Sequence, residues 1–184
     1  MKKITLILLL LASTINMVSA QSNEQASATQ SANLVMSNVI DITFVNTGNS
    51  NGSNVDLVFT TVNDYANGVE SSPIEIKVRS NKDFNVFAKT TSNNFSYSGS
   101  TSPAPNMKVN KVLSIKVVEN NTGGNVPNAV NNKYKNLKKG DRKIINKGTA
   151  GGNNTFKVQY MADPGYEFPA GTYTVDVVYT ATQR

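Results

Sequence analysis

Residues 156–184 constrain the fold of this chain more than any other stretch. From Thr172 to Thr180, Tyr173, Val175, Val177 and Tyr179 fall on one face, and Thr174, Asp176, Val178 and Thr180 fall on the other. A period of two is the mark of a half-buried strand, because successive Cβ atoms point to opposite sides of a pleated sheet. Just upstream, Phe156, Val158 and Tyr160 share a face while Lys157 and Gln159 point away. Between the two runs lies Asp163-Pro164-Gly165, followed by Pro169-Ala170-Gly171, which breaks any regular element. The pair predicts either a hairpin or a crossing between two sheets. It also places Phe156, Val158, Tyr160, Tyr173, Val175, Val177 and Tyr179 in the core.

The first twenty residues have a different character. Lys2 and Lys3 precede an apolar run from Ile4 to Ala12, and Val18 and Ala20 stand where small residues precede a cleavage point. This is the pattern of a secretory signal peptide over residues 1–20, cleaved before Gln21. Its apolar core is far short of the roughly 20 residues that a membrane span needs. Removal leaves 164 of the 184 residues, enough for one domain, and lowers the net charge from +6 to +4. Residues 21–32 hold no large apolar side chain and read as a flexible leader. The remainder, 33–184, reads as a single β-domain.

Alternation continues along that domain. Leu34, Met36, Ile40, Ile42 and Phe44 form one apolar face, so residues 34–45 predict two strands or one bent strand. Val55, Leu57, Phe59 and Thr61 set the next strand, closed by a turn ending in Asn67-Gly68. Ile74, Ile76 and Val78 alternate with Glu75, Lys77 and Arg79. A short connector, Ser80 to Asp83, leads to Phe84, Val86 and Ala88, which predicts a hairpin. Phe95 and Tyr97 suggest a short edge strand. Met107, Val109, Leu113, Ile115 and Val117 follow, with Lys111 out of phase, and Lys143-Ile144-Ile145 predicts a further short strand. No segment carries a helical period beyond two turns. The fold class is all-β: an Ig-like or jelly-roll β-sandwich of about eight or nine antiparallel strands.

The chain has no His and no Cys. That excludes a His-assisted serine triad, a cysteine nucleophile, disulfides, and a zinc site with imidazole or thiolate ligands. The acids are scattered, no calcium-loop pattern occurs, and the expectation is a protein with no catalytic residues, no metal and no cofactor. Nothing resembles a nucleic-acid-binding stripe. One charged feature is concentrated: Lys133, Lys135, Lys138, Lys139, Arg142, Lys143 and Lys147, with Asp141 the only acid among them. Such a run either contacts an anionic envelope polysaccharide or is a solvated loop.

The ending Ala170-Gly171-Thr172-Tyr173-Thr174-Val175-Asp176-Val177-Val178-Tyr179-Thr180 resembles the close of exported bacterial β-sandwich proteins. These are the spore coat protein U family, archaic chaperone–usher pilins and WxL-like surface domains. Ile76 to Val86 is similar to the strand–turn–strand these families place mid-chain, and Asn136 to Gly148 to their penultimate segment. The resemblance implies a non-catalytic structural or adhesive subunit, in the periplasm or at the surface of a bacterium. Its partners would be other copies or other surface subunits joined by strand addition, with 34–44 a candidate donated strand. The alternative is a stand-alone module binding envelope polymer or carbohydrate.

Overall fold

A computed structural model describes residues 25–48 and 51–184. The predicted signal peptide lies outside the described residues. Residues 25–39 carry no regular secondary structure and are exposed throughout. One compact unit spans Met36–Arg184.

That unit is all-β, with two sheets packed face to face. The larger sheet contains β1 (Ile40–Phe44), β3 (Ile74–Ser80), β9 (Gly151–Ala162), β6 (Leu113–Asn121) and β7 (Lys135–Asn136), in that spatial order. The short β2 (Val69–Glu70) pairs with the far end of β9. The second sheet has three strands: β4 (Phe84–Thr90) lies between β11 (Val177–Gln183) and β8 (Arg142–Gly148). A separate two-stranded ladder joins β5 (Ser96–Ser98) to β10 (Thr172–Thr174). All these ladders are antiparallel.

The core forms where the two inner faces meet. Ile76, Val78, Ile115, Val117, Phe156 and Val158 come from the larger sheet, and Phe84, Val86, Ala88, Ile144 and Ile145 from the smaller. Every second residue of β9 from Asn154 to Ala162 is buried, as its period of two requires. Gly148 is small for a packing reason: a Cβ there would stand 2.6 Å from the Phe84 ring. Tyr160, on β9, reaches across so that its hydroxyl meets that of Tyr179 on β11.

Several expectations change. The mid-chain pair is not a hairpin. β3 and β4 belong to different sheets, and Asn81–Asp83 carries the chain over the edge of the sandwich. Both strands bury one face, Ile76, Val78 and Ser80 against Phe84, Val86 and Ala88, so they oppose each other across the core. The C-terminal runs resolve as the sheet-to-sheet crossing, with β9 in one sheet and β11 in the other. Phe156, Val158 and Tyr160 are buried as expected. Val175, Val177 and Tyr179 only half-bury against the core, because β11 is an outer strand. Tyr173 packs on a second, smaller cluster with Met107, Val112 and Ala162.

The predicted strand over 34–45 contracts to Ile40–Phe44, and Leu34 and Met36 stay exposed. Residues 55–60 form no ladder, although Leu57 and Phe59 do pack inward. The turn expected after them is a helix, α1 (Val62–Asn67), with Thr61 and Asp64 forming a capping box. Gly68 ends it at φ +76°, against the carbonyl of Ala162. Lys111 falls out of phase because Val109–Val112 is one helical turn, α2, leading into β6.

Candidate functional site

The feature that distinguishes this sandwich is the flank where its two outermost strands meet. β1 bounds the larger sheet and β11 bounds the smaller one. No ladder joins them. The contact is made by side chains instead: the Phe44 ring stands edge-on to Tyr179 with centroids 5.9 Å apart, and Gln183 Nε2 donates to the Val39 carbonyl at 2.7 Å. β11 therefore keeps one edge of backbone N–H and C=O groups outside any ladder, which makes it a template for another strand.

The β11 side chains fit that role. Val177, Tyr179 and Ala181 point inward and pack on the main core, and each keeps a minor part of its surface exposed. The Tyr160 and Tyr179 hydroxyls lie 2.5 Å apart beneath them. Burial pushes the Tyr160 phenol up to about 12 and raises Tyr179 well above its ordinary value, so both stay protonated donors and acceptors.

The chain N-terminal to β1 has the complementary pattern. Ala26, Ala28, Ala32, Leu34 and Met36 share one parity, while Ser27, Thr29, Ser31, Asn33 and Ser37 share the other. Gln30 and Val35 are the exceptions. Leu34 and Met36 are 85% and 74% exposed, among the most exposed large apolar side chains described. Ile40, Ile42 and Phe44, also expected in a donated strand, instead face the core of their own domain from β1. Residues 37–39 are fixed to the sandwich: Asn81 Nδ2 donates to the Ser37 carbonyl at 2.8 Å, and Val39 N–H donates to Asn81 Oδ1 at 2.9 Å.

The basic residues singled out from the sequence do not form one patch. Lys133, Lys135, Lys138 and Lys139 are exposed along β7 and the connection to β8. Arg142 is partly buried. Its Nη2 donates to the Asn136 carbonyl at 2.9 Å, and desolvation lowers the pKa of its guanidinium. Lys143 lies over the Phe87 ring and donates to Asn146 Oδ1 at 3.3 Å. Lys147 sits near the opposite end of β8, about 16 Å along the strand from Arg142. Asp141 is held by Lys89 at 3.2 Å.

A group of aromatic residues was not singled out as a unit from the sequence. Tyr65 and Tyr166 stack at 5.7 Å, Phe59 packs on Tyr65 at 5.4 Å, and Tyr97 packs on Tyr173 at 5.0 Å. Phe168 completes the set edge-on to Tyr173. They come from three separate segments around α1, β5 and β10, so only the fold brings them to one end of the sandwich.

No family model and no curated protein matches the sequence. A chain from a solved structure of a chaperone–usher pilus is similar at 11% identity with a TM-score of 0.44, covering 88% of this chain and 97% of that one.

Proposed function

We propose that this protein is a non-catalytic, exported surface subunit that joins other subunits by strand addition at β11. One observation carries the reading: β11 is an outer strand with one backbone edge outside any ladder, and its inward side chains, Val177, Tyr179 and Ala181, belong to the core yet are not fully covered. A strand laid along it would satisfy its backbone edge and complete the burial of that face. The donated segment is residues 26–36 of another copy. Eleven extended residues span about 36 Å, more than the roughly 23 Å of seven-residue β11. Its alternating Ala, Leu and Met side chains would face the core and its Ser, Thr and Asn side chains the solvent. The lack of His and Cys and the scatter of the acids support a structural rather than catalytic role.

The test uses residues 21–184. The expected result is concentration-dependent assembly into linear polymers, abolished by Leu34→Lys with Met36→Lys while the sandwich remains folded. A synthetic peptide of residues 25–36 should bind the double variant and raise its Tm. A protein that stays monomeric at all concentrations and does not bind the peptide overturns the reading.

A second reading rests on Lys133, Lys135, Lys138 and Lys139, which are exposed and have no carboxylate partner among the described residues. They would hold an anionic envelope polysaccharide by screened attraction. Salt-sensitive binding of purified teichoic acid, lost when these four become Gln, supports it. Unchanged binding removes it.

A further inference from the structure

The corner where the chain enters β1 is held by side chains rather than by a strand. β1 and β3 pair from Phe44–Ile76 to Ile40–Ser80, and the next pair in that register is Val39 with Asn81. β3 ends at Ser80, whose Oγ donates to the Lys82 carbonyl at 2.6 Å and accepts from the Lys82 N–H at 3.2 Å, turning the backbone toward β4. Asn81 N–H still donates to the Val39 carbonyl at 3.2 Å. The return bond from Val39 N–H, at 2.9 Å, goes to Asn81 Oδ1, a side-chain oxygen taking the place of a backbone carbonyl. Asn81 Nδ2 then reaches the Ser37 carbonyl at 2.8 Å. A side-chain amide offers donors and an acceptor as a peptide group does, so Asn81 continues the partner strand that the β3 backbone no longer supplies.

Gln183, the last residue of β11, closes the corner from the other sheet. Its Nε2 donates to the Val39 carbonyl at 2.7 Å and lies 3.1 Å from Asn81 Oδ1 and 3.2 Å from Ser80 Oγ. The root of the candidate donor segment therefore stands at the C-terminal end of the chain's own acceptor strand.

That closeness matters for assembly. A segment tethered beside its own acceptor acts at an effective concentration of about a millimolar, far above that of other copies in dilute solution. Free to turn, residues 26–36 would lie along their own β11 and end assembly before it began. To reach that edge they must reverse direction within residues 37–39, because Val39 is already level with Gln183. β1 leaves Gln183 and passes Tyr179 at Phe44, opposite to the course of β11, so a segment folded back from β1 would run parallel to β11. A second copy's segment can add antiparallel, like the ladders within the fold, which is slightly the more stable arrangement.

We propose that Asn81 is a positioning residue that reserves residues 26–36 for a second copy. By holding Ser37 and Val39 in line with β1, its side chain prevents the reversal that self-insertion needs. The proposal rests on the strand-addition reading and adds to it the device that decides between self-insertion and exchange between copies.

The test places Asn81→Ala in residues 21–184. Asn81 is exposed, and thermal unfolding checks that the variant folds. Where the wild type assembles, this variant should stay monomeric up to on the order of tenfold higher concentration, because only chains with an open acceptor and a free strand can join. It should also fail to bind the 25–36 peptide, its acceptor being filled. Adding Leu34→Lys and Met36→Lys to Asn81→Ala spoils the tethered strand, so peptide binding should return to the level of the Leu34→Lys, Met36→Lys protein. A purely structural role for Asn81 would lower Tm and leave peptide binding intact. Asn81→Asp keeps the acceptor for Val39 N–H and loses the donor to Ser37. It should fall between the wild type and Asn81→Ala, and it carries the same comparison if Asn81→Ala does not fold. Assembly of Asn81→Ala at the wild-type concentration, or a monomer that still binds the peptide, overturns the proposal. So does a wild type that stays monomeric while its Leu34→Lys, Met36→Lys form binds the peptide, an outcome that leaves strand addition standing. If that form does not bind the peptide and the wild type does not assemble, strand addition itself falls, and this proposal with it.

Discussion

Tyr160 and Tyr179 join the two sheets through their hydroxyls, one from β9 and one from β11. Their folded-state pKa values are raised, mainly by burial, so the folded protein holds these protons more tightly than the unfolded chain, whose tyrosines titrate near pH ~10. The contribution of the pair to stability is therefore complete below about pH 10 and lost as pH climbs through the folded values. Burial also raises the Tyr134 phenol, so ultraviolet titration should show Tyr160 and Tyr179 ionising late together with Tyr134, and unfolding curves should weaken over the same alkaline range. Tyr179→Phe leaves the Tyr160 hydroxyl buried without this partner and should cost about 1–3 kcal/mol in denaturant unfolding. Phe156 is fully buried between the sheets. Phe156→Ala removes that packing and leaves a cavity, so the loss should be about 3–5 kcal/mol, read as a fall in Tm.

Among the elements, α1 depends on its cap. The Asp64 carboxylate accepts from the backbone N–H groups of Thr60 and Thr61 at 2.8 and 2.7 Å, and these bonds hold its pKa below the ordinary carboxylate value. A depressed carboxylate stabilises the fold above its unfolded pKa of about 4, and the effect disappears as pH falls through the folded value. Asp64→Ala should lower stability at neutral pH and have less effect in acid, as equilibrium unfolding at several pH values would show. The Thr61–Asp64 spacing was visible in the sequence, but the Asn67-Gly68 pair beside it reads as a hairpin turn, and the turn signal dominated. The strands were more legible than their partners. Alternation shows that Ile76 and Val78, and Phe84 and Val86, each bury a face. It is silent about whether two such faces lie side by side in one sheet or oppose each other across a core. That choice depends on β9 and β11, 76 or more residues further on in the register Ile76–Phe156, Val78–Asn154 and Phe84–Gln183.

For the whole molecule, the candidate site was legible only in part. The basic run was plain as a string of lysines, yet β8 carries Lys147 away from Lys138 and Lys139. The aromatic end could not be read in advance, because Phe59, Tyr97 and Tyr166 come from segments that meet only after the sheets have packed. Ladders that join distant segments also predict slow folding. β4 finds β11 across 87 residues at Val177–Thr90 and 99 at Gln183–Phe84, so refolding followed by fluorescence or circular dichroism should fall in the millisecond-to-second range. The same arrangement bears on mechanical load. β1 is held to β3 over five residues, from Ile40–Ser80 to Phe44–Ile76, and the chain enters β1 at its Ile40 end. A pull on Met36 directed along the β1 axis stresses those cross-strand bonds in shear, all at once, since they run perpendicular to the strands. The same pull directed sideways would peel them open one pair at a time, at much lower force.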